Sequence, residues 1–276
     1  MIRARRLAFI AIGCAVVPAS IAHAVTINIK AGATLAANVQ ALAAFERAGD
    51  AWESHFSDPV TVNIDALGKG ILGSALSVQL QNGYATVRNL LADDAADEAS
   101  NGIVSALPAT SPEFFALLPP GITLQGALAG TKANFKALGV SGLDQLFGAT
   151  DATITFSTNF LFDFDNSNGV DSNKIDFETV AMHEIGHALG FVSVVDQIDF
   201  LVTNNLKGAI APRLLDLFRF DANGQNPATL PNLRRLQDRS FLAQTRCSTT
   251  LMTLTDFPPA KHRVMGGKPV IGRTTT

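Results

Sequence analysis

The stretch His183-Glu184-Ile185-Gly186-His187-Ala188-Leu189-Gly190-Phe191 decides how the rest of the chain is read. Residues four apart on an α-helix share a face, so His183 and His187 can present two imidazoles to one point. Glu184 is turned toward the open side of any ion held there. Zn2+ suits these donors, and a carboxylate beside such a site can take a proton from zinc-bound water. In this reading Glu184 acts as general base and passes the proton on to a leaving amine. The helix is apolar around the pair (Val180, Ala181, Ile185, Ala188, Leu189), and two polar rings on a largely buried helix need a partner. Gly190 is placed to end the helix.

Outward from the motif, the pattern is α+β. The spacing predicts a helix over 176–189 that carries the histidines. Before it, residues 152–164 alternate (Ile154, Phe156, then Phe160, Phe162, Phe164), which reads as a strand or hairpin. Between the two, Asp163, Asp165, Asn166, Asn168 and Asp171 gather oxygen atoms. Asx chemistry in a hairpin turn accounts for them. The run is also a candidate Ca2+ loop, although Gly169 falls one place late for EF-hand spacing.

Residues 38–55 have helical spacing, with Val39, Leu42, Phe45, Ala48 and Trp52 on one face. A second amphipathic helix is read over 84–99, with Val87, Leu90, Leu91 and Ala95 inward. Residues 25–30 and 60–64 read as strands, and Ser57-Asp58-Pro59 ends the first helix. His55, just past that helix, reads as a surface or capping residue. The Pro- and Gly-rich run over 108–121 marks a boundary between layers. There is no internal repeat.

Composition bounds the setting. The chain has 276 residues, of which 47% are hydrophobic and 16% charged, enough for a large core without long disordered tails. Residues 1–24 read as a signal peptide: Arg3, Arg5 and Arg6, an apolar stretch over 7–17, and Ala22-His23-Ala24 as cleavage site. That stretch is too short for a stable membrane span. A secreted or periplasmic protein is expected. Cys14 leaves with the signal, and Cys247 alone cannot form an intramolecular disulfide. Residues 25–231 hold 10 Lys and Arg against 22 Asp and Glu, a net of −12; residues 232–276 hold 8 against 2, a net of +6. The acidic body argues against a nucleic-acid partner.

The motif with its Gly190 resembles the metzincin zinc metallopeptidases, in which the His-Glu-x-x-His-x-x-Gly run is followed by a third ligand and a methionine turn. In short-spaced members the third ligand lies three residues after the glycine. Here that position is Ser193, a poor ligand. The His187-Ala188-Leu189-Gly190-Phe191 run is closer to the leishmanolysin-like branch, whose third histidine arrives later in a Ser-His-Trp context. The chain resembles secreted bacterial members of that branch over residues 25–223, including Trp52-Glu53, Pro59 to Asp65 and Leu215 to Phe220.

The resemblance implies an α+β metzincin-like fold: a mixed sheet with two packed helices, the second bearing the ligands, in an N-terminal subdomain over 25–190. An incomplete C-terminal subdomain begins over 191–231. It also implies peptide-bond hydrolysis on extended protein or peptide substrates. The strand over 152–164, just before the zinc helix, would be the edge that pairs with substrate.

No Ser-His-Trp occurs in this sequence. Reading codons of residues 267–275 from their third bases permits Gln-Ala-Ser-His-Trp. A frame change between about residues 220 and 247 would therefore explain the basic, aperiodic tail over 232–276. Asp196 is the candidate substitute third ligand, ahead of Asp199, Asp216 and His262. Two other classes stay open: a catalytically impaired remnant lacking the third ligand, and a secreted binding module stabilised by zinc.

Overall fold

The computed structural model describes residues 25–56, 58, 60–67, 72–97, 104, 107–108 and 118–219. The signal segment, the tail, the proposed frame change, His262 and most of the Pro- and Gly-rich run lie outside them.

The chain is a mixed α+β structure. Strand β1 (Thr26–Ala31) leads through a short turn of helix, α1 (Ala33–Ala36), into helix α2 (Val39–Glu53), then strands β2 (Thr61–Leu67), β3 (Gly73–Ser77) and β4 (Gln79–Gly83). Helix α3 (Tyr84–Asp94) follows, then β5 (Ile122–Leu124), β6 (Ala127–Thr131), and helices α4 (Lys132–Ala137) and α5 (Leu143–Phe147). Strand β7 (Ala152–Phe156), the two-residue strands β8 (Phe162–Asp163) and β9 (Ile175–Asp176), and helix α6 (Phe177–Leu189) lead into α7 (Val195–Thr203) and β10 (Gly208–Ile210). A 3-10 turn over Leu214–Phe218 closes the described chain.

The main sheet has the order β1-β2-β7-β3. The first three strands are parallel, while β3 runs antiparallel along β7, pairing Gly73 with Phe156 and Ser77 with Ala152. Ile27, Val62, Ile64, Ile154 and Phe156 project from one face and are buried under α2 and α6. Burying about 25 cal/mol per Å² of apolar surface makes this face the main source of stability.

Helix α2 begins where Asn38 accepts a hydrogen bond from the Ala41 amide at 3.1 Å, an N-cap. Its buried stripe is Ala41, Ala44, Phe45, Ala48, Gly49 and Trp52. This differs from the predicted face: Val39 is 72% exposed and Leu42 only half-buried. Small residues let α2 lie close to the sheet and to α6, and a Cβ at Gly49 would already touch Ile29.

Residues 152–164, read as a strand or hairpin, hold the strand β7 and no hairpin: β8 pairs with β9 in parallel, and a parallel pair cannot be closed by a tight turn. Nor is β7 an edge: it lies between β2 and β3. Its Ala152, Ile154 and Phe156 are all buried, which suits an internal strand, whereas the edge is β3, with Leu76 76% exposed. The half-polar alternation of β7 reflects one covered face and did not reveal its neighbours.

A second core forms around Tyr84, Val87, Leu128, Phe135, Leu143, Leu214 and Leu217. A third gathers Ile122, Val194, Ile198 and Ile210, where β10 pairs in parallel with β5. The segment after Gly190 therefore returns to residues 118–135. Among the described residues no helix is long and apolar enough to cross a membrane.

Candidate metal and catalytic site

Helix α6 starts at an Asp176 N-cap that accepts from the Glu178 amide, and ends at Gly190 with φ 102°. The Gly190 amide donates to the His187 carbonyl at 3.2 Å and the Phe191 amide to the Gly186 carbonyl at 2.9 Å, a Schellman closure that needs the left-handed residue. The helix places His183 and His187 one turn apart on its open face. Their Nε2 atoms are 2.9 Å from each other, and the ring planes meet at 83°.

For two imidazoles on one tetrahedral zinc, bonds of about 2.0–2.1 Å put the nitrogens roughly 3.3 Å apart. The pair is thus within a few tenths of an ångström of that spacing, and the two donors converge. His187 is oriented from behind, because its Nδ1 can only donate to the Phe191 carbonyl, 2.9 Å away. In the neutral ring Nε2 is then the bare nitrogen, the atom a metal needs. These residues fit zinc as two of its ligands.

Glu184 is buried between α6 and the edge strand, 6% exposed. Burial holds its carboxyl above the ordinary 4.5, against the opposing pull of nearby His187 and the Ala75 amide. Packing around the His183 ring, then the charge of His187, holds His183 below 6.5. A buried carboxyl with raised affinity for protons beside two imidazoles is the electrostatic pattern of a proton-transfer site.

The surroundings of this turn were not legible from the motif. A Cβ at Gly73 on β3 would sit 2.7 Å from both Glu184 Oε1 and Val180 Cγ1, so only glycine lets the strand come this close. A lone glycine in a strand is the sequence signal for such an approach. Ser77 Oγ donates to the His187 carbonyl at 3.3 Å, and Trp52 Nε1 to the Met182 carbonyl at 2.9 Å. Trp52 also packs against Phe191, with ring centroids 5.0 Å apart and planes tilted by 48°. Asn134 donates to the Leu189 carbonyl at 2.9 Å. None of these belongs to a ligand pattern.

The structure does not bring Asp196 to the histidines. It lies exposed on the first turn of α7, because Val194 and Ile198 are buried and turn the helix's polar side outward. Asp199 is on the same helix. Asp216 is fully buried elsewhere, accepting from Ser193 Oγ at 2.5 Å and from the Val194 and Arg213 amides. Burial raises its affinity for a proton, and these donors oppose the shift. Ser193 is thus directed toward Asp216. Among the described residues no group of three His, Cys, Asp or Glu is poised to hold a metal.

The Asp163–Asp171 loop spends its carboxylates on its own backbone. Asp163 accepts from the Asp171 and Asp165 amides at 2.8 and 3.1 Å, and Asp165 from the Ser167 amide. Those bonds, Asp171's first, hold the Asp163 carboxyl below its ordinary range. The Asx chemistry is present, but in a loop between parallel strands. His55, exposed, has Nδ1 2.6 Å from the Ala51 carbonyl at the end of α2.

No family model, curated protein or solved structure matches this chain.

Proposed function

We propose that the chain is a secreted zinc-dependent endopeptidase of metzincin-like type, with His183 and His187 as metal ligands and Glu184 as general base. The observation that carries this reading is the convergence of the two Nε2 atoms, 2.9 Å apart, with Glu184 in the same helical turn. A zinc ion there supplies Lewis acidity, acidifying water and polarising a carbonyl.

The chain's own groups do the rest. Glu184 in its ionised form accepts the proton of the attacking water and returns it to the departing amine. Strand β3 offers its outer edge to an extended substrate by strand addition, which would bring the peptide alongside Glu184. Burial raises the proton affinity of Glu184 above that of an ordinary carboxyl, the direction that favours holding the proton between the two transfers.

A second reading rests on the sequence: with no Ser-His-Trp run, the chain would be an impaired remnant whose two-histidine site holds metal weakly.

The test uses the full chain: zinc content by atomic absorption and hydrolysis of labelled, unfolded casein, for wild type and Glu184→Gln. One zinc per chain, with hydrolysis that falls by about 100-fold or more in the variant while zinc stays, is expected. Absence of stoichiometric zinc would refute the proposal in favour of the remnant. Tight zinc without hydrolysis would leave a binding module.

A further inference from the structure

Asn134, on α4, lies 49 residues before His183, yet its side chain ends on the helix that carries the two histidines. Its Oδ1 accepts from the Thr131 amide at 3.0 Å, while the Asn134 amide donates to Thr131 Oγ1 at 3.2 Å. This reciprocal pair fixes the side chain in one orientation, with Nδ2 directed at the Leu189 carbonyl 2.9 Å away. The space a Cβ at Gly190 would need is taken by the Asn134 amide group, 2.2 Å from that position. Asn134 therefore holds the last carbonyl of α6 and abuts the residue where the chain reverses. The next residue is Phe191, whose carbonyl receives His187 Nδ1–H.

The support behind Asn134 is rigid. Lys132, fully buried two residues earlier on α4, pairs with Asp151 at 3.2 Å and Asp144 at 2.9 Å, and donates to the Gly148 and Thr150 carbonyls. Lys136 pairs with the same two carboxylates, each at 2.8 Å. Asp151 in turn accepts from the Asn63 amide at 2.7 Å, which ties α4 to the main sheet. A continuous set of contacts runs from the sheet through α4 to the end of the zinc helix.

We propose that Asn134 is a positioning residue for His187: by gripping the Leu189 carbonyl it sets the turn that aims the Phe191 carbonyl at Nδ1, and so leaves Nε2 bare toward the metal. Its catalytic meaning rests on the metallopeptidase reading; its geometry does not.

The test compares wild type with Asn134→Asp in the full chain. Aspartate keeps an oxygen for the Thr131 amide, so the α4 cap survives, but sets a second oxygen against the Leu189 carbonyl. Nitrogen-15 NMR of the metal-free proteins reads the His187 tautomer, and titration against a chromophoric chelator reads the Zn2+ Kd. The wild type is expected to carry the proton on Nδ1; the variant is expected to show a tautomer mixture and a Kd raised about 10- to 100-fold. A variant with the wild-type tautomer and Kd overturns the proposal. A shifted tautomer in a protein that binds no zinc in either form sinks the metallopeptidase reading and leaves the positioning role standing. If the aspartate variant does not fold, Asn134→Ala carries the same two measurements.

Discussion

Replacing Gly73 by alanine tests the contact between the edge strand and Glu184, the proposed general base. The added Cβ would stand 2.7 Å from Glu184 Oε1, 2.7 Å from Val180 Cγ1 and 3.0 Å from Glu184 Cγ. Ordinary contacts there need about 3.4 Å or more, so the strand or the glutamate must yield by roughly 0.7 Å. Val180 sits on the helix and cannot withdraw as a flexible chain end can. Overpacking of this kind costs about 1–3 kcal/mol, or about 2–12 °C in Tm for a chain of this size. The catalytic effect is larger, because misplacing a reacting group by about 1 Å costs on the order of 100-fold. Gly83 is the matched control: it too lies in a strand, and nothing stands within 4 Å of its Cβ position. Differential scanning fluorimetry and casein hydrolysis on both variants give the comparison. Gly73→Ala is expected to lose stability and most of its activity, with Gly83→Ala near wild type. Equal behaviour of the two would refute the close-approach argument.

Two further outcomes follow from charge. Lys132 and Asp151 have fully buried side chains, so Lys132→Met leaves a buried carboxylate whose only counter-charge is Lys136, beside the Asn63 amide. Thermal unfolding should fall by about 3 kcal/mol, and a loss under about 0.5 kcal/mol would contradict the role given to this pair. Glu184 gives a pH readout in the metal-free protein. Burial raises its pKa above 4.5, so carbon-13 NMR of the carboxyl should show protonation half complete above pH 4.5. A half-point at or below that value would show that Glu184 is not held as described.

Much of the architecture was readable as local pattern. The ends of α6 follow from Asp176 as cap and Gly190 as stop, both of which act within a few residues. Asn38 started α2 in the same way. The facing of α2 was less legible: Val39 looked inward by spacing but is exposed, because alanines and Gly49 set how closely the helix approaches the sheet. A two-residue periodicity gave β7 one buried face without saying which strands flank it. Its place inside the sheet, and β3's place at the edge, depend on pairings between segments some 80 residues apart.

The sequence by itself determined the clustering of His183, Glu184 and His187, because a turn of helix suffices to put them around one point. The tertiary structure decided what surrounds that point. Gly73, Trp52 and Asn134 reach it from three separate elements, and Asp196 turns away from it. Such placements come from close packing between elements, and packing distances are not written in the spacing of any one segment.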